Sequence, residues 1–152
     1  MSLFDLPLQT LLSYLQKLAE QSLSLWDVPE DARVRLINVS ENTTYLVEAS
    51  QGYQAILRIH RENYHTLRAI ESELAWLETL GREKVIKTPG YFPGRNGRAI
   101  QLGNTDGLNN ARFRCCFTSS MATPQTKVWI WCMAFRNWEP APRAAMTTRS
   151  VG

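Results

Sequence analysis

The chain has 152 residues, 44% of them hydrophobic and 20% charged, which fits one globular domain and excludes global disorder. No apolar run reaches the roughly 18 residues a membrane helix needs. The segment 1–18 lacks the basic start of a secretory signal, so a cytoplasmic protein without membrane contact is expected. The net charge of +3 is unevenly spread: residues 1–110 hold 11 Lys and Arg against 13 Asp and Glu, whereas 111–152 hold 6 against one Glu. That basic stretch also contains all three cysteines and three of the five tryptophans.

Leu8, Leu11, Leu12, Leu15 and Leu18 recur at spacings of three and four and predict a helix over 8–22, with Pro7 suited to its first turn. Trp26 to Asp31 reads as a loop, completing an N-terminal unit over 1–30. Three strands follow. Val34 and Leu36 mark the first, 43–49 is β-branched and alternating, and 53–60 is the third, reached through the turn Ser50-Gln51-Gly52. A second helix is predicted over 66–80, with Leu67, Ile70, Leu74, Trp76 and Leu77 on its buried side and Gly81 as its stop. Two short strands, near Tyr91-Phe92 and over 98–102, flank the turn Gly94-Arg95-Asn96-Gly97. The sum is an α+β lobe over 31–110: a five-stranded antiparallel sheet with one long helix, plus the N-terminal helix. In 111–152, Phe113–Phe117 has strand character and 128–135 is apolar, yet no period persists, so an irregular, disordered basic tail is expected.

This order of elements suits a nucleotide-holding lobe. Such a lobe needs a turn over the phosphates, a cation on the third strand, and a carboxylate on the helix to orient that cation. Ser40-Glu41-Asn42-Thr43 links the first two strands, Arg58 lies within the third, and Glu73 lies in the helix. Read singly, each has a plainer role. Asn42 caps a turn, Arg58 packs its stem while its head reaches water, and Glu73 faces solvent with Glu71 and Glu78. His60 and His65 read as surface residues of strand and loop, without a carboxylate or cysteine at metal-ligand spacing. Cys115-Cys116 lacks the spacer of a zinc or redox pair.

Three stretches carry a resemblance. Val39-Ser40-Glu41-Asn42-Thr43-Thr44-Tyr45-Leu46-Val47, Ala55-Ile56-Leu57-Arg58-Ile59-His60-Arg61 and Ile70-Glu71-Ser72-Glu73-Leu74-Ala75-Trp76-Leu77 are similar, in order and spacing, to the aminoglycoside-phosphotransferase and homoserine-kinase-like enzymes, choline-kinase relatives among them. The resemblance covers about residues 30–107, and it implies the protein-kinase-like N-terminal lobe. It further implies ATP and Mg²⁺ as cofactors, transfer of the γ-phosphate to a hydroxyl of a small molecule or protein, and a nucleotide site made of Ser40, Glu41, Asn42, Thr43, Arg58 and Glu73. Arg58 stands where many kinases place lysine, and a guanidinium can hold phosphate oxygens bidentately.

The family's catalytic aspartate, its following asparagine and the metal-binding aspartate belong to a second lobe. After Glu83 this chain has only Asp106 and Glu139 as acids, so a truncated kinase that does not catalyse by itself is expected. Strand and helix faces that the second lobe would cover are expected to be left wet. The tail has an unusual property when its codons are read one base out of register. Met121-Ala122 and Met133-Ala134 are forced to Gly, Asn137-Trp138 to Leu and Trp138-Glu139 to Gly. Degenerate positions permit a hinge of the family type from about Arg114 and a Leu-Gly helix with histidine from about Phe135. This predicts an out-of-frame translation after about Phe113, which the coding sequence through 105–120 would decide. The competing expectation is a small α+β binding module whose basic tail contacts nucleic acid or a protein. On the kinase reading, nucleic acid is not an expected partner; a regulatory pseudokinase is a third possibility.

Overall fold

The computed structural model describes residues 6–84 and 90–118. The first helix, α1 (Leu8–Ser22), starts directly after Pro7 and buries Leu15, Leu18, Ala19 and Ser22 along one side. β1 (Arg33–Val39), β2 (Asn42–Glu48) and β3 (Gln54–His60) form the antiparallel meander expected from their alternation. A bulge at Ile37 shifts the β1–β2 register. Between β2 and β3, Gln51 and Gly52 both take positive φ, which closes the turn in little space.

The second helix, α2 (Leu67–Arg82), is capped by Thr66, whose hydroxyl accepts from the Ala69 amide. It runs through Gly81 rather than stopping there, and Lys84 supplies the left-handed residue beyond its end. Its buried stripe is narrower than the sequence suggested. Ile70, Leu74 and Leu77 are buried, whereas Leu67 and Trp76 stand exposed.

β4 (Tyr91–Phe92) and β5 (Gln101–Gly103) are short, and β5 is displaced from the predicted 98–102. The turn between them forms as predicted, with the Gly94 amide bonded to the Arg98 carbonyl and Gly97 at φ 80. The last described element, β6 (Arg112–Thr118), enters the middle of the sheet, which runs β1-β2-β3-β6-β4. β5 pairs with β6 further along the same edge as β4, so the two short strands share the fifth position. The boundary placed at residue 110 therefore cuts off a strand of the lobe, and irregular chain does not begin at 111. The strand forms because Phe113, Cys115 and Phe117 alternate with Arg112, Arg114 and Cys116 in a register that fills both faces. The remaining tail expectations, for 119–152 and the apolar run 128–135, lie outside the described residues.

Each face of the sheet carries a packed helix, so no whole sheet face is left wet, while Leu36 and Val39 on β1, Leu67 and Trp76 on α2 and Leu102 on β5 stand exposed. On one side α1 and Trp26 pack on Tyr45, Val47, Leu57, Ile59 and Cys116. On the other, α2 lies over Leu46, Ile56, Cys115 and Phe117, with Ala99 and Ile100 against the same cluster. The Trp26 indole closes the first layer by donating to the Phe92 carbonyl. No described helix is long and apolar enough to cross a membrane.

Candidate functional site

The register of the three inner strands builds the site. Arg58 stands in the middle of β3, opposite Thr44 on β2 and Cys115 on β6. Directly opposed residues point to the same face, here the face beneath α2. Glu73 comes down on it from the helix because it falls between Ile70 and Leu77 along the buried stripe. The two groups meet as a fork: Arg58 Nη1 donates to Glu73 Oε1 at 3.0 Å and Nη2 to Oε2 at 2.8 Å. The Arg58 side chain is 4% exposed and that of Glu73 34%. The guanidinium also lies 5.9 Å from the centroid of the Phe117 ring. The plainer readings, an arginine head in water and a glutamate facing solvent, are thereby excluded for this pair.

The turn residues divide. Asn42 is buried and opposes His60, two positions along β3 from Arg58 and on the same face. Thr43 alternates to the other face, that of Tyr45 and Val47. Ser40 is exposed at the tip, its hydroxyl accepting from Asn38 Nδ2 at 3.4 Å and its amide donating to the Asn42 carbonyl. Glu41 accepts from the Tyr64 hydroxyl and pushes that phenol's pKa up. The six residues therefore do not form one cluster: Arg58, Glu73 and Asn42 share a face, while Ser40, Glu41 and Thr43 contribute the turn's backbone.

His60 corrects the sequence reading. It is fully buried, with Nε2 3.8 Å from the Cys115 sulfur. The expectation of a surface histidine failed because β3 is flanked on both sides once β6 is in place. Burial first, then the neighbouring Arg58 and His65, hold its pKa well below 6.5 and keep it neutral. The unfolded chain binds this proton more readily, so folding stability is complete above about pH 6.5 and falls as the pH drops below it. A denaturation series between pH 7 and 5 is expected to show a slope of up to about 1.4 kcal/mol per pH unit. That slope should vanish in His60→Gln. A variant with the unmodified slope would show that His60 is not its source. Burial also pushes the Cys115 and Cys116 thiols up to about 12, leaving them inert as nucleophiles.

Two buried polar atoms beside the pair have no hydrogen-bond partner among the described residues: Asn42 Oδ1 and His60 Nδ1. They lie at the turn end of the Arg58 face, where a phosphate would need polar company, and the Asn42 amide can present either its oxygen or its NH₂. These residues fit a nucleotide's phosphates. Among the described residues no group of three or more His, Cys, Asp or Glu is placed to hold a metal.

The chain superposes on the microcompartment-associated aminopropanol kinase with a TM-score of 0.62 and 37% identity, over 72% of this chain and 33% of that one. It superposes on amicoumacin kinase in complex with AMP-PNP, Ca²⁺ and Ami with a TM-score of 0.56 and 19% identity, over 69% of this chain and 30% of that one. The fold is that of the small lobe of aminoglycoside-phosphotransferase-like kinases. No family model matches the chain, and no curated protein matches it. The small lobe spans about a third of the length of the solved kinases it matches. β6, which sequence reading assigned to the tail, is as much part of the small lobe as β3. Its signal was the alternation of Phe113, Cys115 and Phe117, masked by Arg112 and Arg114 beside them.

Proposed function

We propose that this chain supplies the nucleotide-holding half of an ATP-dependent kinase and does not itself catalyse transfer. In the complete reaction the γ-phosphoryl group would pass from ATP to a hydroxyl, leaving ADP and a phosphate ester. The hydroxyl proton would go to a base that this sequence lacks. Arg58 would hold phosphate oxygens, Glu73 would fix the guanidinium, and the 40–43 turn with Asn42 would cover the phosphates through backbone and amide contacts. The observation that carries this reading is the buried Arg58–Glu73 fork between the central strand and the helix. A guanidinium held with this directionality is suited to contacting an anionic ligand. The 37% identity to an aminopropanol kinase supports a small-molecule acceptor for the complete enzyme.

The test is amide exchange of the chain with and without AMP-PNP and Mg²⁺. Slowed exchange at 40–43 and in the middle of β3 is expected, and Arg58→Lys, which keeps the charge but loses the fork, should weaken it about tenfold or more. Exchange unaltered by millimolar nucleotide would overturn the proposal for this chain.

A further inference from the structure

Cys115 on β6, His60 on β3 and Asn42 on β2 lie on the α2 face of the sheet, and their hydrogen-bonding roles constrain one another. His60 and Asn42 are directly opposed in the β2–β3 register, a placement that sets Cβ atoms about 4.5–5.5 Å apart. All three residues are buried. The Cys115 sulfur stands 3.8 Å from His60 Nε2. The other ring nitrogen, Nδ1, has no partner, and neither has Asn42 Oδ1. His65 meets the His60 ring edge-on at 6.3 Å without satisfying Nδ1, and the guanidinium of Arg58 is engaged with Glu73. Buried polar atoms are nearly always paired, so two orphans on facing residues point to each other.

We propose that His60 is a positioning residue of the nucleotide site: it carries its proton on Nδ1, donates it to Asn42 Oδ1, and so turns the Asn42 NH₂ outward to the phosphates. Both ends of the set fix this polarity. At the Cys115 end, burial keeps the thiol protonated, with an S–H to give. The lone pair of a ring nitrogen is a better acceptor than sulfur, so Nε2 accepts. The imidazole is neutral, held so by burial and by Arg58, and its single proton is therefore left for Nδ1. At the Asn42 end, an ionised phosphate only accepts, so the amide must show it the NH₂, which leaves Oδ1 turned inward as an acceptor. Each orphan supplies what the other lacks, and rotation of the two side chains about their own bonds closes the contact. An amide held from behind in this way loses little freedom when it meets its ligand. The outward direction of the NH₂ rests on the phosphate reading above. The tautomer does not, because Cys115 sets it.

Imidazole nitrogen NMR of the full chain tests the arrangement before any nucleotide is added. The chain has two histidines, so His65→Asn identifies the signals of His60. At pH 7 His60 is expected as the neutral tautomer protonated on Nδ1. That proton should exchange slowly in the unmodified chain and fast in Asn42→Ala. A proton on Nε2, or Nδ1 exchange indifferent to Asn42→Ala, would overturn the proposal. Titration with AMP-PNP then separates positioning from packing. An asparagine places its amide nitrogen where Nδ1 stands, and a glutamine where Nε2 stands. His60→Gln should therefore weaken AMP-PNP binding about tenfold or more, the loss of one oriented contact to a charged group, whereas His60→Asn should restore most of it. Equal losses in the two variants would show that His60 acts through packing and not as a donor, and would overturn its positioning role. An unmodified chain that binds no AMP-PNP, yet shows the Nδ1 proton and its dependence on Asn42, would support the Cys115–His60–Asn42 hydrogen bonds and overturn the phosphate reading instead.

Discussion

Glu73→Gln is expected to lower folding stability by about 3 kcal/mol, read as a shift of the urea midpoint at constant slope. The glutamine keeps the side chain's shape and one acceptor but withdraws the negative charge. Arg58 then remains in the interior, 4% exposed, without its carboxylate. Removing one member of a buried pair costs about 3–5 kcal/mol, because the other charge has already lost its water. Glu73 keeps a third of its surface wet, which sets the effect at the low end. Glu71→Gln, two residues earlier on the exposed side of α2, is the control, with an expected change within about 0.5 kcal/mol. Replacing both partners, Arg58→Met with Glu73→Met, should recover most of the loss, since both desolvation costs disappear together. Equal effects from Glu73→Gln and Glu71→Gln would mean that the fork contributes nothing to the fold.

Arg114→Met is expected to do the opposite and stabilise the lobe by about 1–4 kcal/mol. Arg114 is 5% exposed at the centre of the sheet on the α1 face. Its Nη1 donates to Ser22 Oγ at 2.6 Å, and Ser22 in turn donates to the Leu18 carbonyl. Among the described residues no carboxylate forms an ion pair with it, and burial pulls its pKa down. One hydroxyl does not offset the several kcal/mol that desolvating an ion costs. Arg112, on the same face, differs in having Glu62 at 3.8 Å. The space Arg114 needs is visible at Gly103, where a Cβ would run into the guanidinium. Gly103→Ala should therefore destabilise the unmodified chain and be tolerated in Arg114→Met, a coupling that a double-mutant cycle measures. A lower melting temperature for Arg114→Met would show that the guanidinium is compensated by something other than Ser22.

Much of the lobe was legible because its signals were local. The leucine spacing and Pro7 delimit α1, and β-branched alternation with tight turns marks β2 and β3. The Arg58–Glu73 contact was legible for a different reason: the order of strands and helix, with the resemblance to kinase small lobes, placed a cation on the third strand and a carboxylate on the helix, whereas each residue read singly pointed to solvent. What local signals could not supply was the neighbour of β3. β6 carries two arginines in seven residues, and charged residues are seldom buried, so composition assigned the strand to the tail. That one omission made His60 an expected surface residue, since a strand with one open edge has a wet side. The helix stop was misjudged because Gly81 is tolerated within the last turn while Lys84 takes the left-handed conformation. Leu67 and Trp76 were counted as buried because spacing alone does not say how wide a stripe the sheet can cover.

The sheet's strand order sets a schedule for making it. β3 is flanked by β2 within moments of synthesis, but its other edge waits for β6, the last of the described strands to be translated. At ~5–20 residues per second, the ribosome needs roughly 3–12 s to travel from His60 to Thr118. Throughout that interval the nascent chain presents Ile56, Leu57 and Ile59 along an open row of backbone donors and acceptors, the kind of edge to which other strands add. Yield in the cell should therefore depend on elongation speed and on chaperone capture of this intermediate, even where the finished lobe is stable.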